Sequence, residues 1–275
     1  MHTPPSASCP EGRRVTAHIE ATVVDRSTQA FAIAVAEGYR REESFSVTID
    51  GAPVAVEEVR TAHDGRLHLA RDVPPGALVA DYAASIRGEA APPTADDEQW
   101  LRYLRPSRYC ESDRMGAFAR AEFGGLSAAA LVAAIPEWVA GRVRYVPGVS
   151  RPTDGAIATL MAGEGVCRDF AHLTAALLRA NDVAARAVAV YAPGLYPMDF
   201  HAVTEALLDD RWVVIDPTGL APRQSLVRIA TGADAAETAF MTTVGGRVDL
   251  TGIEVTAVAD PDLPVDEPPR VEVLR

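Results

Sequence analysis

The patterning of apolar residues changes at one linker, and this change constrains the fold more than any other feature. From Val15 to about Ile86, short β-like segments alternate with turn signals such as Asp50-Gly51, Asp64-Gly65 and Pro74-Pro75-Gly76. The run over 88–97 is rich in proline and acidic residues and discourages regular structure. Beyond it, helical patterns come first and strand patterns later. We therefore predict an α+β protein in which a β-rich N-terminal domain, a sandwich or barrel, precedes a mixed domain.

The same patterns set the predicted boundaries. The divisions are a loose N-terminus over 1–14, the β-rich domain over 15–90, the mixed domain over 98–260 and an irregular tail over 261–275. The predicted N-terminal strands are 16–24, 31–36, 45–49, 54–59, 67–69 and 78–86. The helices predicted after the linker are 98–104, 115–123, 127–142, 153–162, 167–181 and 233–240, and the strands are 143–146, 184–191, 201–208, 211–216 and 248–259. Ser127 is the expected N-cap of its helix, and Gly163 is an expected C-cap.

Composition excludes several classes of protein. The chain has 275 residues, of which 48% are hydrophobic and 23% charged, so it is not composed like a disordered chain. The net charge of −12 argues against nucleic acid or an anionic membrane as the partner. Cys9, Cys110 and Cys167 are too few for a disulfide framework and fit free thiols in a reducing compartment. Without a signal-peptide pattern or a long apolar run, we expect a cytoplasmic protein with no indication of its oligomeric state.

One cysteine has a setting suited to chemistry. Cys167 stands at the predicted start of an apolar helix, after Gly163 and Gly165. Unpaired N–H groups and the positive end of the helix dipole favour an anion at such a position. The two glycines allow a tight turn and the approach of a substrate carbonyl, to which the Cys167 N–H can donate. Taken alone, the residue is better explained as a small buried hydrophobic side chain than as a nucleophile.

A histidine and an aspartate give this cysteine possible partners. If Asp209-Asp210 forms a two-residue hairpin turn, Val203 faces Asp216 on the neighbouring strand. His201 lies on the same face as Val203 and is then a diagonal neighbour of Asp216, roughly 7–8 Å away at the backbone. A carboxylate at that position would orient the imidazole, whose other nitrogen would face the cysteine helix. A three-residue turn would place the two side chains on opposite faces, so the hypothesis depends on loop length.

The motifs around these three residues resemble those of the bacterial transglutaminase-like superfamily. The resemblance covers about 130–245, and the segment 64–87 is more weakly similar to the N-terminal domain that many bacterial members carry. The motifs are Gly163–Ala171, Leu177–Arg186, Asp199–Ala202 and Trp212–Thr218. Two positions depart from the family pattern: Val203 stands where an aromatic residue is common, and Ala233-Asp234 where Arg-Asp is common.

The resemblance implies a papain-like catalytic core in which Cys167 is the nucleophile, His201 the base and acid, and Asp216 the orienting carboxylate. The implied reaction is attack on the amide carbonyl of a peptide or protein, which gives a thioester, and no cofactor is expected. Water would make the protein a peptidase or amidase, and an amine would make it a transglutaminase. We favour hydrolysis because bacterial members are often described as cysteine proteases. A non-enzymatic interaction module that has kept the fold is the further alternative.

Several neighbouring residues complete the predictions. Four are assigned to substrate binding: Gly165, Val166, Tyr196 and Asp199. A metal site that adds His172 to the three catalytic candidates is disfavoured, because His172 lies about 140° around the helix from Cys167. Asp169 is expected to cap the helix. No glutamine precedes Cys167 by a turn or two, so the second donor of an oxyanion hole has no candidate in the sequence.

Overall fold

Strands with alternating burial fill the N-terminal part of the computed structural model, which describes residues 9–61, 65–266 and 271–275. In β1, every second residue from Val15 to Val23 is buried, as a strand with one face on a core requires. The predictions for residues 1–8 and for Asp64 lie outside the described residues. The strands are β1 (Gly12–Val23), β2 (Ser27–Phe31), β3 (Arg40–Ile49), β4 (Ala52–Pro53), β5 (Val56–Arg60), β6 (Arg66–Val73) and β7 (Gly76–Arg87).

Helices follow the linker and precede a second group of strands, as the patterning predicts. Ser127 accepts a hydrogen bond from the Ala130 N–H, and Gly163 ends its helix with a φ of 66°, so both predicted caps are confirmed. The elements are α1 (Asp97–Arg102), α2 (Ser112–Phe123), α3 (Ala128–Arg142), β8 (Arg144–Tyr145), α4 (Ala156–Ala162), β9 (Glu164–Gly165), α5 (Cys167–Arg179), β10 (Ala185–Tyr191), β11 (Phe200–Leu208), β12 (Arg211–Ile215), β13 (Val227–Gly232), α6 (Ala235–Thr238), β14 (Met241–Val244) and β15 (Val248–Asp260).

Two antiparallel sheets form the β-rich part. Their strand orders are β15-β1-β7-β3-β4 and β14-β2-β6-β5. One hydrophobic core joins them, with Ile19, Val47 and Leu78 from the first sheet and Phe31 and Val73 from the second. The β-rich N-terminal domain is therefore confirmed, and its two sheets pack as a sandwich.

The last two strands return to this sandwich. Strand β15 pairs antiparallel with β1 from Gly12↔Asp260 to Val23↔Val248, and β14 pairs with β2. The division that assigns all of 98–260 to the mixed domain is thus corrected: 241–260 belongs to the sandwich sheets. The predicted boundary differs from the observed one because the local pattern of a strand does not show which distant strand it will pair with.

A buried loop joins the sandwich to the mixed domain. The predicted strand 31–36 leaves β2 at Phe31, and residues 32–36 are buried outside any strand. Their backbone groups are satisfied by the mixed domain, because the Tyr191 hydroxyl donates to the Ile33 carbonyl (2.7 Å) and the Ala36 N–H donates to the Arg228 carbonyl (2.9 Å). The sandwich core therefore continues into β13, an edge strand of the second domain.

The mixed domain is an antiparallel sheet, in the order β12-β11-β10-β13, with α5 packed on one face. Leu173 and Leu177 of α5 share a core cluster with Ala206 and Val213 of the sheet. The C-terminal residues 271–275 approach the sheet at its β12 edge: Glu272 makes a β-bridge with Val214, and Leu274 is buried. Helices α2, α3 and α4 pack against the remaining sides of α5.

Helices α2 and α3 are apolar along the stripe that faces α5. Met115 and Ala119 of α2 are buried, as are Leu131 and Ile135 of α3. Within the described ranges, no single helix has both the length and the apolar composition of a membrane span. Helices α2 and α3 meet that test only when taken together, across a bend of 96°.

Candidate active site

The turn from β9 into α5 fixes the backbone at Cys167. The Asp169 carboxylate accepts hydrogen bonds from the Val166 N–H (2.7 Å) and from the Ser150 hydroxyl (2.9 Å). This is the capping role predicted for Asp169. A Cβ atom on Gly165 would lie 2.6 Å from the Cβ of Asp169, so only glycine allows so close an approach. Cys167 is consequently the first residue of α5, as predicted, and it is partly exposed.

The hairpin between β11 and β12 brings His201 to Asp216. Asp209 and Asp210 both have positive φ angles, 48° and 60°, which a tight two-residue hairpin turn requires. The register pairs Thr204 with Ile215, so the predicted loop length is correct. The His201 Nε2 atom lies 2.8 Å from the Asp216 Oδ2 atom, and the predicted hydrogen bond is confirmed.

A threonine holds the other oxygen of this carboxylate. The Asp216 Oδ1 atom accepts hydrogen bonds from the Thr218 N–H (3.0 Å) and from the Thr218 hydroxyl (2.7 Å). Thr218 is a site residue that the predictions lack, although an Asp-Pro-Thr turn commonly forms such local bonds. Burial alone would raise the pKa of Asp216, but the positive His201 ring and the Thr218 bonds hold it below its usual range.

The His201 ring presents its remaining nitrogen to the cysteine. Its side chain is fully buried, and Nδ1 has no hydrogen bond of ordinary geometry within the part of the chain that the structure describes. Burial would lower the pKa of His201, but the Asp216 carboxylate and the adjacent Cys167 thiol raise it to about 10. A ring with this pKa is an imidazolium at neutral pH, suited to stabilise a thiolate beside it. The three residues are thus brought together in the order Cys167, His201 and Asp216.

Replacing Asp216 with asparagine is expected to lower the pKa of His201, because the carboxylate that favours its proton is removed while its burial remains. Folding raises this pKa from 6.5 to about 10. The stabilising contribution of the pair is therefore fully present below about pH 6.5 and is lost as the pH rises toward 10. Nitrogen NMR of the His201 ring, assigned by its absence in H201A, measures the change. An unchanged pKa in D216N would contradict this assignment of Asp216.

Two further polar groups lie near the catalytic candidates. Tyr145 pairs with Gly165 in the short parallel bridge of β8 and β9, and its side chain is 39% exposed. Asp199 stands on the surface just before β11, near both His201 and Tyr145. Neighbouring atoms crowd its carboxylate, and this desolvation raises its pKa, although the Phe200 N–H and the His201 charge oppose the shift. Asp199 is one of the predicted substrate-binding residues, whereas Tyr145 has no predicted role, because only the strand patterning of 143–146 marks it.

The other predicted site residues are placed differently. The Gly165 carbonyl accepts the Val146 N–H (2.9 Å), so this backbone group serves the β8–β9 bridge. Val166 is half-buried next to Cys167, whereas Tyr196 is 90% exposed in the loop before β11. The assignment of these residues to substrate binding stays a prediction.

His172 lies apart from the three catalytic candidates. Its Nε2 atom accepts the Ala235 N–H (3.1 Å), and its ring stacks on Tyr109. Burial lowers its pKa to about 3, so the ring is neutral. Among the residues that the structure describes, no three or more His, Cys, Asp or Glu side chains are grouped to hold a metal ion. His172 is therefore a packing residue of α5.

Comparison with known proteins identifies relatives of this chain. The family model of the transglutaminase-like superfamily matches residues 120–217. A crystal structure of a protein described as a putative cysteine protease from Cytophaga hutchinsonii is 30% identical, covers 94% of each chain and superposes with a TM-score of 0.85. No curated protein is similar enough to match the sequence.

More distant solved structures show weaker likenesses. The periplasmic domain of TgpA from Pseudomonas aeruginosa is 19% identical, covers 79% of this chain and 92% of that one, and has a TM-score of 0.39. LapG from Legionella pneumophila is 12% identical, covers 58% and 90%, and has a TM-score of 0.30. These two are too distant to bear on the chemistry of the site. The likeness to the Cytophaga hutchinsonii protein extends over both domains, and the chain belongs to the transglutaminase-like superfamily.

Proposed function

We propose that this protein is a cysteine acyl-transfer enzyme that hydrolyses an amide bond of a peptide or protein. The observation that carries the proposal is the buried His201–Asp216 pair at 2.8 Å, with the free His201 Nδ1 beside a cysteine at a helix N-terminus. A cysteine that serves only packing has no need of an imidazole with its pKa raised to about 10. These observations support the proposed chemistry without reference to any one substrate.

In the first half of the proposed reaction, the Cys167 sulfur attacks the carbonyl carbon. A C–S bond forms while the carbonyl π electrons move to oxygen, which gives a tetrahedral oxyanion. The oxyanion collapses, the C–N bond breaks, and the leaving amine takes a proton from the His201 imidazolium. The products of this half are a thioester on Cys167, a free amine and a neutral His201 ring.

In the second half, a nucleophile resolves the thioester. His201 removes a proton from water, whose oxygen attacks the thioester carbonyl to form a second tetrahedral oxyanion. Collapse of this oxyanion breaks the C–S bond and releases a carboxylic acid, which restores the thiolate and the imidazolium. Throughout both halves, the bonded Asp216 carboxylate keeps the ring in one orientation and stabilises its positive form.

One observation favours an amine in place of water. No ion pair of Asp199 is found within residues 9–61, 65–266 and 271–275, and its carboxylate lies near His201. A carboxylate in that position suits the ammonium form of an approaching amine. Transfer of the acyl group to an amine is therefore the second candidate function.

Partition of the acyl-enzyme separates the two functions. We expect protein acylated with p-nitrophenyl acetate to release acetate to water even when a primary amine such as butylamine is present. If N-butylacetamide is instead the main product, hydrolysis is contradicted and the transglutaminase reaction is supported. The variant D199N is the matched control: it should reduce amide formation and leave acetate release unchanged if Asp199 recruits the amine.

A further inference from the structure

Tyr145 is held at the nucleophile by backbone bonds and by its ring. The Arg144 N–H donates to the Gly163 carbonyl and the Val146 N–H to the Gly165 carbonyl, both at 2.9 Å. These bonds bracket Tyr145 and fix it against the residues that lead into Cys167. Its ring packs on Phe170, in the first turn of α5, with a centroid distance of 6.0 Å. Tyr145 is thus attached to both sides of the turn that presents the cysteine.

The Tyr145 hydroxyl lies beside both the backbone amide and the thiol of Cys167. Burial is the largest cause that raises the pKa of Tyr145, and the nearby Cys167 and Asp199 side chains raise it further. The Cys167 N–H favours the phenolate and opposes the shift. The net pKa is about 12. The hydroxyl therefore keeps its proton at every pH at which a cysteine enzyme works, and it remains available as a hydrogen-bond donor.

The Cys167 N–H needs a second donor beside it to stabilise an oxyanion. As the first N–H of α5, it has no acceptor within its own helix. The adjacent residue Arg168 is engaged elsewhere, since its guanidinium donates to the Ser150 hydroxyl and the Arg151 carbonyl. Tyr145 is held across the turn by the backbone bonds of its two neighbours, and its hydroxyl is a donor that interacts with both the amide and the sulfur.

We infer that the Tyr145 hydroxyl and the Cys167 backbone N–H together form the oxyanion hole. When the C–S bond forms, negative charge develops on the carbonyl oxygen, and this oxygen accepts both hydrogen bonds. Tyr145 donates its hydrogen bond without losing its proton. When the tetrahedral species collapses, the C=O double bond re-forms, the negative charge leaves the oxygen and both hydrogen bonds weaken. This inference rests on the proposed function and adds a catalytic residue to it.

Two reactions of the same sulfur test this role. Acylation by p-nitrophenyl acetate passes through an oxyanion, whereas alkylation by iodoacetamide displaces iodide at a saturated carbon and forms none. In Y145F, acylation is expected to slow by about 100-fold, the usual cost of removing one oxyanion donor, while alkylation of Cys167 keeps its wild-type rate. The unchanged alkylation also shows that the variant is folded at the site.

The other outcomes overturn the inference. If Y145F is acylated at the wild-type rate, Tyr145 is not an oxyanion donor. If alkylation changes in parallel with acylation, in either direction, Tyr145 acts on the thiol instead. The control Y109F removes a hydroxyl from a tyrosine that stacks on His172, outside the proposed site, and should change neither rate. Failure of the proposed function is distinguishable, because wild-type protein would then not be acylated on Cys167 at all.

Discussion

Replacing Cys167 with alanine is expected to abolish the burst of p-nitrophenol that accompanies acylation by p-nitrophenyl acetate. The sulfur is the atom that forms the covalent bond, and neither His201 nor Tyr145 can replace it. Loss of the nucleophile should slow the reaction by about 10⁴-fold or more, as it does in other covalent hydrolases. Stopped-flow absorbance measures the burst amplitude and its rate.

A second cysteine provides the control for this experiment. Cys9 is a free thiol of intermediate exposure on the N-terminal side of β1, so C9S removes a thiol without touching the proposed site. We expect C9S to keep the full burst. A burst that persists in C167A, or that disappears in C9S, would contradict the assignment of the nucleophile.

The second large effect concerns His201 and the charge state of the thiol. In wild-type protein at about pH 6, the imidazolium beside Cys167 should keep the sulfur reactive toward iodoacetamide. In H201A this stabilisation is gone, and an ordinary thiol is almost entirely protonated at that pH, so labelling should slow on the order of 100-fold. Because the pKa of His201 is raised to about 10, the wild-type rate should stay nearly flat from pH 6 to pH 9.

Cys9 serves as an internal reference for labelling. Burial raises its pKa, although Arg13 opposes this, so Cys9 should label slowly at low pH in both proteins. Mass spectrometry of the labelled peptides separates the two sites. An H201A protein that labels at Cys167 with the wild-type rate and pH profile would show that the histidine does not control the thiol.

The active-site geometry was largely predictable because it rests on local rules. A glycine ends α4, and a helix begins two residues after Gly165, so the position of Cys167 follows from capping signals. The pair of His201 and Asp216 follows from one loop length, which the Asp209-Asp210 turn sets. Each of these inferences spans fewer than about twenty residues, over which strand register and helix periodicity are reliable guides.

The parts that escaped prediction depend on contacts between distant segments. Strand β15 pairs with β1 although the chain from Asp260 back to Gly12 runs through the whole mixed domain. Residues 32–36 carry strand-like patterning but are buried against β13. Tyr145 acquires its place through a two-residue bridge with β9, too short to produce a pattern of its own. In each case the partner segment decides the structure, and only the folded chain identifies it.

Mapping the acyl group shows whether Cys167 forms a thioester. Full-length protein would be mixed with p-nitrophenyl acetate, quenched in acid during the burst, digested and analysed by mass spectrometry. We expect one acetyl group on the peptide that contains Cys167, removable by neutral hydroxylamine as a thioester is, and absent from C167A and H201A. An acetyl group on another residue would show that Cys167 is not the nucleophile, and one on Cys167 that forms equally well in H201A would show that the histidine does not activate it.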